Sequence, residues 1–182
     1  DPGHGGHDPG AISSTIREAD LVLDVAQRLA RKLTQNPSTE VVMTRRTDTY
    51  LSLESRTSLA NRVNGDLFLS IHANASQNPA ARGVETYSLD FAESPNSEQI
   101  AARENTTGSR TMNDLAGLLE TIATNSKAHE SQHFAEVIQR SMVSRLREAD
   151  TTLPDLGVKQ APFMVLIGAR MPSVLAEISF LS

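Results

Sequence analysis

The sequence predicts an α/β fold in one domain: a mostly parallel, twisted sheet flanked by helices, with a polar helical insertion. Three observations lead there. In residues 17–33 the apolar side chains Val22, Val25, Leu29 and Leu33 recur at helical spacing. Short apolar or β-branched runs such as residues 66–72 (DLFLSIH) alternate with helical stretches, and runs of that kind suit strands covered on both faces. The chain has 182 residues, a length that fits a single domain with a substantial core.

Taken in order, residues 17–33 read as an amphipathic helix that Pro37 and Ser38 break. Residues 40–44 (EVVMT) read as a short β-branched strand. Residues 53–63 are helical and end at Asn64-Gly65, a pair that tolerates left-handed backbone. Strands follow at 66–72 and 83–89. Residues 91–110, rich in Ser, Asn, Thr and Glu, form the insertion. Within it, residues 96–106 (NSEQIAARENT) form a short helix with Ser97 as N-cap and Ile100 as apolar anchor. Residues 111–149 are helical with a break near Asn125-Ser126, and Phe134, Val137, Ile138 and Leu146 make the core stripe. Residues 162–166 and 173–180 close the sheet.

Composition narrows the function. A net charge of −5 disfavours binding to a phosphate backbone, so nucleic acid is not expected as a partner. Cysteine is absent, which removes disulfide frameworks and thiolate metal sites. No apolar run is long enough to span a bilayer.

The chemistry lies in three segments. His4 sits in a glycine-rich turn, Asp1-Pro2-Gly3-His4-Gly5-Gly6, where backbone can approach an ion closely. His7, three residues on, reads as a solvent-facing side chain. His72 ends an apolar strand in Ser70-Ile71-His72-Ala73-Asn74, on the face of Phe68 and Ser70. Open α/β sheets bind ligands beyond the carboxyl ends of their strands. Glu177 interrupts an apolar strand, and a buried carboxylate needs a cation, a catalytic role or a partner such as Arg170. Glu18 fits a capping box, Thr15-Ile16-Arg17-Glu18, and also stands where a rigid helix start could present a carboxylate to a metal. Neutral imidazoles and a carboxylate are zinc ligands, and a catalytic zinc keeps one position open for water.

These segments, in this order, resemble the zinc N-acetylmuramoyl-L-alanine amidases of the family 3 type. Further stretches are similar: Thr44-Arg45 with Asp48, Leu53-x-x-Arg56, and Leu156-Gly157-Val158-Lys159-Gln160-Ala161. The resemblance implies one Zn²⁺ held by His4, Glu18 and His72, with Glu177 as the catalytic base. It implies peptidoglycan as substrate and a place in the periplasm or outside the cell, at the bacterial wall. It also implies that residues 91–110 cover the site until a protein activator displaces them, with Glu104 reaching the metal as a fourth ligand. A monomer is expected. The family has an apolar strand before the histidine turn and continues past the closing strand, so residues 1–182 are expected to be a catalytic domain trimmed at both ends, with any export signal upstream.

Two other readings come from different classes. One is a wall-binding or regulatory domain of the same fold without activity. The other is a zincin peptidase, because His129-Glu130-Ser131-Gln132-His133 is a literal H-E-x-x-H on a helix, with Glu148 as third ligand.

Overall fold

The computed structural model describes every residue except 77, 92–93, 108–126 and 182. Four helices are described: α1 (Glu18–Leu33), α2 (Leu53–Arg62), α3 (Pro95–Glu104) and α4 (Ala128–Leu146). The sheet has four strands, β1 (Phe68–Ala75), β2 (Val84–Leu89), β3 (Asp155–Ala161) and β4 (Ser173–Leu181), in the order β1-β4-β2-β3. β1 runs parallel to β4, and β2 parallel to β3, while β2 and β4 are antiparallel. On the far side of β1, Gly3 N donates to the Ile71 carbonyl at 3.0 Å, so the opening residues flank the sheet there.

Strand alternation sorts the side chains onto two faces. Ile71 and Ala73 meet Val22 and Ala26 of α1 in one apolar cluster. Thr86 lies on that same face, beside Ala176, and its hydroxyl bonds Gln139 of α4. The opposite face carries Phe68, Leu175, Tyr87 and Leu89, packed against Leu53 of α2 and Ile100 and Ala101 of α3. Along that second face the side chains turn polar toward the carboxyl end of β1: His72, Glu177 and Glu85 are lateral neighbours on β1, β4 and β2.

Several expectations need correction. Residues 40–44 join no ladder among the described residues. Met43 is buried in the α1 cluster, but Thr44 and Arg45 reach residues 1–3 through side chains. Residues 162–166 are not a strand; a 3₁₀ turn, Met164–Leu166, places Val165 and Leu166 in the core, and the strand lies just before it at Asp155–Ala161. α3 is capped by Ser94, whose hydroxyl accepts from Ser97 N at 3.2 Å; Ser97 is therefore an N3 residue, with Pro95 at the favoured first position. α4 buries Ser131, Ala135, Gln139 and Val143, whereas Val137 and Leu146 are exposed, because polar Thr86 and Ser88 on the sheet select Gln139 and Gln132 as partners. The helical expectation for 111–126 and its break near Asn125-Ser126 lie outside the described residues. Asn64 is left-handed at φ 52°, as the Asn64-Gly65 stop requires.

Candidate metal centre

His4 takes a left-handed backbone, φ 56°, uncommon for a residue with a Cβ. Its Nδ1 lies 2.9 Å from Asp8 Oδ2, which orients the ring so that Nε2 faces the protein interior. A carboxylate behind a histidine ligand is a recurrent device for fixing its tautomer. His72 approaches from the end of β1, its ring centroid 4.8 Å from that of His4. A Cβ on Gly3 would come within 2.3 Å of His72 Cε1, and one on Gly10 within 2.6 Å of both Glu18 Oε2 and His4 Cδ2. Only glycine leaves room for the two rings and the carboxylate.

Glu18 opens α1, but the capping box is absent. Arg17 is the N-cap, without a side-chain cap bond, and Thr15 lies outside the helix. Glu18 Oε2 instead accepts from Ala11 N at 2.8 Å, and Oε1 accepts from Ala73 N at 2.9 Å. The backbone of two other segments thus aims this carboxylate. Its Oε1 lies 3.0 Å from His4 Nε2 and 3.1 Å from His72 Nδ1.

Glu104, the last residue of α3, completes the group. Its Oε2 stands 3.1 Å from His4 Nε2 and 3.1 Å from His72 Nδ1, and the four donor atoms all lie within 4.8 Å of one another. Four zinc ligands at roughly 2.0–2.1 Å stand about 3.3 Å apart, close to these separations. His4 Nε2 and Glu104 Oε2 are both buried and neither makes a hydrogen bond. The two atoms stand 3.1 Å apart without hydrogen-bond geometry between them. Buried polar atoms without partners are rare unless an ion or a reaction uses them. The donor set fits a divalent cation.

Charge balance agrees. Burial opposes a charge on His4, yet Asp8, Glu104 and Glu18 outweigh it and hold the pKa up to about 12. Burial likewise opposes a charge on His72, and Glu104 and Glu18 raise it to about 9. Burial would raise Glu18, but both imidazoles pull it down to about 2, and Glu104 is held well below the usual carboxylate range in the same way. Two imidazolium charges thus offset two carboxylates, and a divalent cation on neutral imidazoles supplies the same two charges.

Glu177 is wholly buried beside this group, and both its carboxylate oxygens lack a hydrogen-bond partner among the described residues. Burial first, then repulsion from Glu104, pushes its pKa well above the ordinary value. Arg170 is exposed, and its backbone N bonds Asn61, so it does not neutralise Glu177. Next along the row, Glu85 accepts from Asn74 Nδ2 at 2.9 Å and pairs with Lys159. Asn74 Oδ1 in turn accepts from Arg103 Nη2 at 3.1 Å, and Arg103 pairs with Glu104 at 2.9 Å.

The sequence reading missed Asp8, Gly10, Asn74, Glu85 and Arg103. One signal for the first two was visible: Asp8-Pro9-Gly10 repeats Asp1-Pro2-Gly3. The others show only in the cross-strand register. The rival H-E-x-x-H lies elsewhere: His129, Glu130 and His133 are exposed on α4, Glu130 pairs with Lys127, and Glu148 pairs with Arg145. His7 is exposed as expected and stacks on Tyr50 at 4.1 Å.

Comparison with known proteins gives the family. The N-acetylmuramoyl-L-alanine amidase family model matches residues 1–182. The chain belongs to that family. It is 33% identical over 182 residues to the amidase LytC of Bacillus subtilis, covering all of this chain and 29% of LytC. It is 32% identical to the amidase AmiC of Escherichia coli O6:H1, covering all of this chain and 45% of AmiC. The chain therefore spans less than half the length of these two relatives. The crystal structure of an N-acetylmuramoyl-L-alanine amidase from Clostridium difficile 630 superposes with a TM-score of 0.72 at 31% identity, over 98% of this chain and 76% of that one.

Proposed function

We propose that this amidase-family chain hydrolyses the amide between the lactyl group of N-acetylmuramic acid and the L-alanine of the peptidoglycan stem peptide, with one Zn²⁺ held by His4, Glu18 and His72. The observation that carries the reading is a set of buried, convergent donor atoms lying next to a buried carboxylate with no partner of its own. The reading includes action at the bacterial wall, in the periplasm or outside the cell.

A zinc ion in such a site supplies Lewis acidity and a water whose pKa falls towards about 7. The chain's own residues do the rest. Asp8 holds His4 Nδ1, so Nε2 stays turned to the centre. Ala11 N and Ala73 N fix the two oxygens of Glu18. Glu177 takes a proton from the attacking water onto a carboxylate oxygen and later delivers it to the nitrogen of the leaving L-alanine. Its lack of any fixed hydrogen-bond partner leaves both oxygens free for that exchange.

Glu104 makes α3 a cover in this reading. Its Oε2 takes the position a water needs, and Arg103 ties the helix to the end of β1 through Asn74 and the Ala75 carbonyl. A protein activator that lifts α3 would expose the site. Metal analysis tests the assignment directly: His72→Ala should lose zinc and hydrolysis of purified peptidoglycan, while His133→Ala keeps both. Retention of zinc by His72→Ala, or its loss from His133→Ala, would overturn the reading.

A further inference from the structure

The arginines of Thr44-Arg45 and Leu53-x-x-Arg56 have no part in the reaction described, yet they are 3% and 2% exposed. Burying a guanidinium is costly unless its donors are used, and these two direct theirs mainly at backbone. Arg45 donates to the carbonyls of Pro2 at 3.1 Å, Gly3 at 2.6 Å, Ala19 at 2.9 Å and Thr47 at 3.1 Å. Arg56 donates to Pro2 O at 2.7 Å, His4 O at 2.8 Å, Leu51 O at 3.1 Å and Asp1 Oδ1 at 2.9 Å. Three consecutive carbonyls, Pro2, Gly3 and His4, are thus held from behind by two guanidinium groups.

We propose that Arg45 and Arg56 are positioning residues for the metal centre, fixing the His4 turn against the first turn of α1 through the carbonyls of Pro2, Gly3, His4 and Ala19. The inference rests on the metal-site reading above. Ala19 follows Glu18, and the single Nη2 of Arg45 donates to both Gly3 O and Ala19 O. One nitrogen therefore spans the two segments that carry His4 and Glu18. A left-handed histidine persists only where its surroundings over-determine it, and these bonds supply that constraint. A planar fork can hold several carbonyls at fixed angles, whereas an ammonium on a flexible stem cannot. Lysine at either position keeps the charge and loses the geometry.

The test compares Arg45→Lys and Arg56→Lys with Val143→Ala, a core change on α4 remote from the centre. Zinc affinity is read by chelator competition, site geometry by the ligand-field spectrum of the Co²⁺-loaded chain, and stability by the thermal midpoint of the metal-free chain. The lysine variants should bind Zn²⁺ about 10- to 100-fold more weakly and shift the Co²⁺ spectrum. Val143→Ala should lower the midpoint and leave affinity and spectrum unchanged. Parent-like affinity and spectrum in both lysine variants would overturn the proposal, as would an equal affinity loss in Val143→Ala. If one lysine variant does not fold, the other carries the test; if neither folds, the arginines are structural and the proposal falls. Failure of the metal-site reading looks different, because His72→Ala would then hold zinc as tightly as the parent chain.

Discussion

Glu177 and Glu18 show how one residue type can meet opposite surroundings in one site. Glu18 is surrounded by donors, with Ala11 N and Ala73 N on its oxygens and two imidazoles at 3.0 and 3.1 Å. Glu177 has none and faces another carboxylate. The first environment favours a permanent anion, the second a group that can take up and give back a proton. Glu177→Gln should therefore keep its zinc and lose about 10²–10⁴-fold in turnover, measured as release of free stem peptide with a new L-alanine amino terminus. A variant that sheds metal yet stays partly active would mean Glu177 is a ligand. Glu18→Gln should do more harm than removal of a helix cap. The amide has only one acceptor oxygen, so Ala11 N or Ala73 N loses its partner, at about 1–3 kcal/mol of stability, and zinc binding falls with it. Intact zinc binding with a small stability loss would contradict the assigned role. At this scale the histidines and Glu177 were readable because imidazole beside glycine, and carboxylate inside an apolar strand, break local patterns. Asn74 and Glu85 break none, being polar residues at a strand end and within a strand. Only the folded geometry distinguishes them.

Among the elements, α3 is the informative case. Its existence and its anchor Ile100 were legible from the run NSEQIAARENT, and the cap was misjudged because Ser94 and Ser97 are both plausible caps and only Ser94 precedes Pro95. Residues 40–44 were misread for a different reason. β-branched composition marks a surface that packs, and Met43 does pack, but composition does not create a backbone partner. The 3₁₀ turn at Met164–Leu166 was misread likewise, since a short apolar run does not reveal its own geometry. α3 binds through Ile100, Arg103 and Glu104. If α3 opens as proposed, exposing one isoleucine at about 1.5–3 kcal/mol would alone hold the open population below about 10 per cent. Glu104→Ala should accordingly raise basal hydrolysis of peptidoglycan without changing zinc content. Ile100→Ala should do the same by weakening the helix's seat, and deletion of residues 97–107 should exceed both. Unchanged or reduced activity in all three would leave Glu104 without a gating role.

For the whole molecule, protons and a bound divalent cation would compete for the same donor atoms, with opposite dependences on pH. In the metal-free chain His4 and His72 are raised from 6.5 to about 12 and about 9. Their contribution to stability is complete below pH 6.5 and is lost as pH rises through those values. Glu18, lowered from 4.5 to about 2, contributes above pH 4.5 and loses that contribution as pH falls through 2. The joint contribution of His4, His72 and Glu18 to the metal-free chain should thus be greatest between about pH 4.5 and 6.5 and weaken towards pH 9. Zinc needs unprotonated imidazoles, so its stabilisation should grow over the same range. Calorimetry should find the gap between zinc-loaded and metal-free thermal midpoints wider at pH 8.5 than at pH 6. A constant or narrowing gap would count against proton–metal exchange at these residues. The α/β architecture and mostly parallel sheet were legible from alternating apolar runs and helical periods. The strand order was not, because the antiparallel contact of β2 with β4 depends on connections that no local pattern encodes.

That α3 contributes Ile100 and Ala101 to the same apolar cluster as Phe68, Tyr87 and Leu175 has a thermal consequence. If the proposed cover lifts, part of the interior is wetted, and opening would carry the heat-capacity signature of a small local unfolding event. Basal turnover should then climb more steeply with temperature than the chemical step alone allows. A trace of urea, too little to alter the circular dichroism, should act as an agonist before it acts as a denaturant.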